Sequence, residues 1–108
     1  MVVHIAPIGK QVAHVKEWLR EVQPITKVWL IHSKKGADIN FPKIAKDLAK
    51  KIQEDYAGVD VELYLNENHL NLDGTMDAID AIIVKEENEN ELLVRTEFCI
   101  NVTGGTNV

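Results

Sequence analysis

The feature that most restricts the fold of this chain is the alternation of two hydrophobic periods along its 108 residues. Val2 to Ile8 is short, apolar and rich in β-branched side chains, and it stops at Gly9, as a buried strand does. Val12, Val15, Trp18, Leu19 and Val22 then recur at helical spacing while Lys16, Glu17, Arg20 and Glu21 face water, and Pro24 closes that helix. Lys27 to Ser33 is a second strand with an almost continuous apolar centre, and Gly36 lies in the loop after it. Asn40 is placed as an N-cap with Pro42 in the first turn, and Phe41, Ile44, Ala45, Leu48 and Ile52 form the apolar stripe of a second helix that ends before Gly58. Val59 to Leu65 alternates apolar and polar residues, which predicts a strand with one wetter face at the edge of a sheet. Asp73 is the expected cap of a third helix with Met76, Ile79, Ile82 and Ile83 as its stripe, followed by a solvated connection over Glu86 to Glu91 and a last strand over Leu92 to Val102.

Read in order, this is β-α-β-α-β-α-β. Strands alternating with helices of this length pair in parallel through right-handed crossovers, so the expected fold class is α/β, a mostly parallel sheet of about four or more strands with helices on both faces. No repeat, heptad run or Pro/Gly/Ser-rich linker divides the chain, so residues 1–108 are read as one domain. Trp18 and Trp29 are read as core, and His4 as a core or interface residue in preference to a ligand.

Composition excludes several functions. No run of 18 or more uncharged apolar residues is present to span a membrane. The N-terminus lacks the basic start and apolar run of a secretory signal, and Cys99 is a lone cysteine with no partner for an internal disulfide; both point to the cytoplasm. A formal charge of −5 argues against sequence-independent binding to long nucleic acids, which relies on Lys and Arg neutralising phosphates. It does not argue against a small anion held by local groups. His4, His14, His32 and His69 have no metal-ligand spacing, and no metal or cofactor is expected. Neither G-x-x-x-x-G-K-[ST] nor G-x-G-x-x-G occurs, which removes Walker-type NTPases and nicotinamide-dependent dehydrogenases.

In an open parallel sheet, ligands bind outside the carboxyl ends of the strands. The segments there are Gly9-Lys10-Gln11, then Lys34-Lys35-Gly36 after His32-Ser33, then Asn66-Glu67-Asn68-His69, and finally Thr103-Gly104-Gly105-Thr106 after Asn101. Four of the six glycines and three lysines therefore gather on one edge. Glycine lets backbone N–H groups approach a phosphate, and the threonine hydroxyls add donors. A Gly-Gly pair is also an ordinary tight turn after a strand, and for His32 packing and binding stand level.

The opening Ala6-Pro7-Ile8-Gly9, the strand Val28-Trp29-Leu30-Ile31-His32-Ser33 and the ending Asn101-Val102-Thr103-Gly104-Gly105-Thr106 together resemble the CARF domains, the CRISPR-associated Rossmann-fold sensors of prokaryotic defence. The resemblance follows the order of elements over the whole chain, and its most specific piece is N-x-T-G-G-T. It implies a Rossmann-like homodimer that binds a cyclic oligoadenylate second messenger where two ligand edges meet, and regulates an attached or partner effector. It carries over a ligand-binding role to Gly9, Lys10, Thr103, Gly104, Gly105 and Thr106; Asn101 belongs to the same motif, and location adds Ser33 and Lys34. Asn107 stands where the family has a basic residue, which puts the messenger cleavage performed by some relatives in doubt. The alternatives are a ring nuclease using Lys10, Ser33 or Lys34, and the sensing domain of a winged-helix transcriptional regulator that reaches DNA only through a domain this chain lacks. The sequence stops where the helix after the T-G-G-T turn is expected to begin, so the expectation is a sensor-domain fragment of a longer protein, with a natural short form as the alternative.

Overall fold

The computed structural model describes residues 2–9, 12–22, 24–66, 72–89 and 96–101, and they form a four-stranded, all-parallel sheet with three helices. In chain order the elements are β1 (Val2–Pro7), α1 (Ala13–Glu21), β2 (Lys27–Ser33), α2 (Phe41–Asp55), β3 (Asp60–Asn66), α3 (Leu72–Glu89) and β4 (Glu97–Ile100). The spatial order is β3-β2-β1-β4, so β3 occupies an edge, as its alternating pattern predicts. Register pairs His4 with Val28 and Cys99, and Ser33 with Asn66.

The two faces of the sheet carry separate apolar clusters, and strand alternation sorts residues between them. Ala6, Ile8, Val28 and Leu30 pack under Val15 and Leu19 of α1 and Ala45, Leu48 and Ile52 of α2. Val3, Ile5, Trp29 and Ile31 pack under Ala78, Ile79 and Ile82 of α3. Crossovers of one hand require this division. The first two connections step outward from β1 to β3 and the third steps back past β1 to β4, so α3 must cover the opposite face.

Local signals behave as their chemistry demands. The Asn40 side chain accepts a hydrogen bond from the Lys43 amide at 3.2 Å, capping α2. Gly58, in the turn before β3, has φ of 83°, a conformation costly for residues with a Cβ. The α1 ladder closes with Val22 N–H donating to Trp18 at 3.1 Å, two residues before Pro24.

Several expectations require correction. Helix α3 begins at Leu72, so Asp73 lies within its first turn and is not its cap. Of the expected α3 stripe, Ile79 and Ile82 are buried and Ile83 is half-buried, but Met76 is 44% exposed, and Thr75, Ala78 and Glu86 complete the buried face instead. Glu86 to Glu89 continue the helix instead of forming a solvated connection, and Glu86 is 0% exposed. Its Oε1 accepts hydrogen bonds from Trp29 Nε1 and Lys27 Nζ, each at 2.7 Å. The last strand is described only over Glu97–Ile100, and residues 90–95 lie outside the described ones. Trp29 is core, whereas Trp18 is half-buried and packs edge-on against His4 with ring centroids 5.4 Å apart.

Candidate functional site

The strand order fixes where a ligand edge lies. Because the chain leaves β1 toward β2 and β4 returns to the other flank of β1, the connections diverge between the carboxyl ends of β1 and β4. Gly9 follows β1 and is buried; Asn101 follows β4, is half-buried, and its N–H donates to the Ile5 carbonyl at 2.9 Å. Ser33 ends β2 as a buried residue, and Lys34 and Lys35 follow it, both exposed. Gly9, Ser33, Lys34 and Asn101 thus share the carboxyl edge. Lys10, Thr103, Gly104, Gly105 and Thr106 lie outside the described residues, as does Asn107.

Gly36 plays a different part from the one its place in the rim suggests. Its N–H donates to the Ile39 carbonyl at 2.8 Å, closing the loop before α2, so this amide is committed and does not face an anion. A Cβ at Gly36 would meet only ordinary contacts, the nearest at 3.5 Å, so close approach does not require glycine there.

The same edge carries a narrow cleft on the α3 face, lined by Pro7, Ile8, Ile31, His32, Ser33, Asn66 and Thr75. Its floor follows from register: Pro7 pairs with Ile31, and Ser33 with Asn66. Thr75, in the second turn of α3, forms the roof. Ser33, Asn66 and Thr75 are 4%, 6% and 2% exposed, three polar side chains buried together at the end of a parallel sheet. His32 belongs by strand alternation to the opposite face with Val28 and Leu30. Its Nδ1–H donates to the Ser33 carbonyl at 2.9 Å.

Of these residues, Thr75 is the one that sequence reading misses. The signal was present, since Thr75 stands at i, i+3, i+4 and i+7 with Ala78, Ile79 and Ile82, but an apolar Met at the next position drew the stripe aside. A larger groove between α1 and α2 is lined by Val12, Lys16, Ile44, Asp47, Leu48 and Lys51. It opens broadly to solvent and its one buried lining residue is Leu48, so it offers no enclosed polar group.

Charge at the opposite end of the sheet is organised separately. Burial acts to lower the pKa of Lys27, but its hydrogen bond and charge interaction with Glu86, aided by Asp60 and Glu89, outweigh this and raise it. The Lys27 and Lys85 ammonium groups each lie 5.3 Å from the Trp29 ring centroid. Among the described residues, no three His, Cys, Asp or Glu side chains come together to hold a metal.

No protein-family model matches this chain, and neither a curated protein nor a solved structure matches it.

Proposed function

We propose that this chain is a ligand-sensing domain that binds a cyclic oligoadenylate at its carboxyl edge, as a homodimer, and regulates an attached or partner effector. The observation that carries the reading is the position of Gly9 and Asn101 just beyond the carboxyl ends of the two strands that flank the switch point. Asn101 leads directly into Val102-Thr103-Gly104-Gly105-Thr106, the segment that resembles the CARF ending. In this arrangement the backbone amides of Gly9, Gly104 and Gly105 and the charges of Lys10 and Lys34 meet phosphates, while Ser33 and the threonines supply neutral donors.

The reading is tested by calorimetric titration with cyclic tetra-adenylate and cyclic hexa-adenylate. Saturable heat with one of the two is expected, with a stoichiometry of one ring per two chains. Absence of heat with both at high micromolar concentration overturns it.

A further inference from the structure

We infer that the chain associates with copies of itself head to tail, the exposed ridge of α3 on one copy seating in the open groove between α1 and α2 of the next. The inference stands apart from the reading of the carboxyl edge and uses none of its residues.

The groove lies on the face of the sheet that α1 and α2 cover. Val12, Ile44 and Leu48 form its apolar floor, and the exposed Lys16 and Lys51 stand at its sides. Asp47 also lines it, and Arg20 is exposed one turn beyond Lys16. The atom-free space is about 720 Å³ with the open mouth included. One water occupies about 30 Å³ of liquid, so this space has room for several side chains. With no buried polar group to orient a small molecule, it suits a protein surface.

The ridge lies on the other face. Along the outer side of α3, Val84 is 56% exposed, with Asp80 and Ala81 one turn before it and Glu87 and Asn88 one turn after, all exposed. Asp77 begins the same row, and Met76 borders it. A single exposed valine is ordinary. Its setting is what matters, because an apolar centre ringed by carboxylates is the complement of an apolar floor flanked by ammonium groups. Lys16, Asp77, Asp80 and Glu87 make no ion pair among the described residues, and Lys51 has only an exposed one, to Asp55 at 3.7 Å. Length agrees as well: Ile44 to Lys51 and Asp77 to Val84 each cover two helical turns, about 10 Å.

Seating the ridge buries Val84 on Val12, Ile44 and Leu48 and brings Asp80 and Glu87 against Lys16 and Lys51, a helix-in-groove contact. Groove and ridge occupy opposite faces of the sheet, so two copies cannot fill each other's grooves at once. Each contact leaves one groove and one ridge open, and association continues from copy to copy. A contact of two turns is small, which places it among weak, reversible interfaces.

The experiment is equilibrium sedimentation of the 108-residue chain, without nucleotide, from micromolar to millimolar concentration at low and high salt. The average mass is expected to climb past that of a dimer with no plateau, and to fall as salt screens the charge pairs. Val84→Asp sets a carboxylate on the apolar floor, and Lys16→Glu with Lys51→Glu sets like charges together. Each protein is expected to associate at least about tenfold more weakly. The first variant keeps an intact groove and the second an intact ridge, so an equimolar mixture of the two is expected to recover the association that neither shows alone. A wild-type mass that stays at monomer or dimer, variants that associate like wild type, or a mixture that recovers nothing overturns the inference. None of these outcomes touches the sensor reading, because no ligand is present and no residue of the carboxyl edge is changed.

Discussion

At the scale of single residues, the side chain that most clearly exposes the balance of forces is His4. It is fully buried in β1; its Nε2–H donates to the Val22 carbonyl at 3.1 Å, while Nδ1 has no partner among the described residues. Burial lowers its pKa, an effect that the bond to Val22 only partly offsets. The folded state therefore holds the ring neutral where the unfolded chain takes up a proton. Stability is full above the ordinary histidine value of about 6.5 and declines as pH falls through the lowered folded value. Thermal melts between pH 7.5 and 5 are expected to show a fall in melting temperature that is shallower in His4→Phe, which keeps a ring against Trp18 but removes the titrating nitrogen. Equal slopes in the two proteins would show that other groups carry the acid sensitivity.

At the scale of elements, α3 separates what sequence makes legible from what it hides. The existence of the helix, like the order of all seven elements, follows from periodicity, because the pattern of apolar residues is local. The face it buries does not follow, because that is settled at both ends by polar residues whose partners are distant in the chain. Thr75 lines the same cleft as Ser33 and Asn66, and Glu86 bonds Trp29, 57 positions earlier. A run of Glu and Asn reads as solvated when nothing in its neighbourhood says otherwise, and only the sheet brings Lys27 beneath it. The site shows the same division. Strand ends point to Gly9, Ser33, Lys34 and Asn101, whereas Thr75 becomes visible only once α3 is laid over β2 and β3.

The Glu86 cluster is also the joint between α3 and β2 at the amino end of the sheet, and its removal gives a prediction for the element. Glu86→Ala leaves the Lys27 ammonium, itself mostly buried, with Asp60 at 3.9 Å as its ion-pair partner among the described residues, and takes the partner from Trp29 Nε1. Breaking a buried pair typically costs about 3–5 kcal/mol, and the remaining contact with Asp60 places this case near about 3 kcal/mol. Glu86→Gln retains an acceptor for both donors and is expected to lose less. Urea denaturation measures both variants, and a loss below about 0.5 kcal/mol for Glu86→Ala would mean that the pair does not hold the joint. Because the folded pKa of Lys27 is raised, the stabilisation it gives is full below the ordinary lysine value and disappears as pH rises through the higher folded one.

At the scale of the whole molecule, the proposed function raises the question of how a chain of net charge −5 would attract a polyanion. Net charge sets the field far from the surface, but within about 8–10 Å at physiological salt the nearest charges dominate. Here those charges are unevenly placed. Lys34 and Lys35 stand exposed at the carboxyl edge, whereas Lys50 and Lys51 belong to the C-terminal half of α2, toward the amino edge, where Lys51 is 3.7 Å from Asp55. Two double variants therefore change net charge by the same amount and differ only in location: Lys34→Glu with Lys35→Glu, and Lys50→Glu with Lys51→Glu. If local charge governs binding, the first weakens cyclic tetra-adenylate binding by at least tenfold and flattens its dependence on salt, while the second changes affinity less than about twofold. Calorimetric titrations at 50 and 200 mM salt supply both readouts. Equal losses in the two variants would show that the long-range field sets the affinity, and would remove the carboxyl-edge lysines from the site. The outcome separates a ligand held by a built edge from an anion that merely tolerates the average surface.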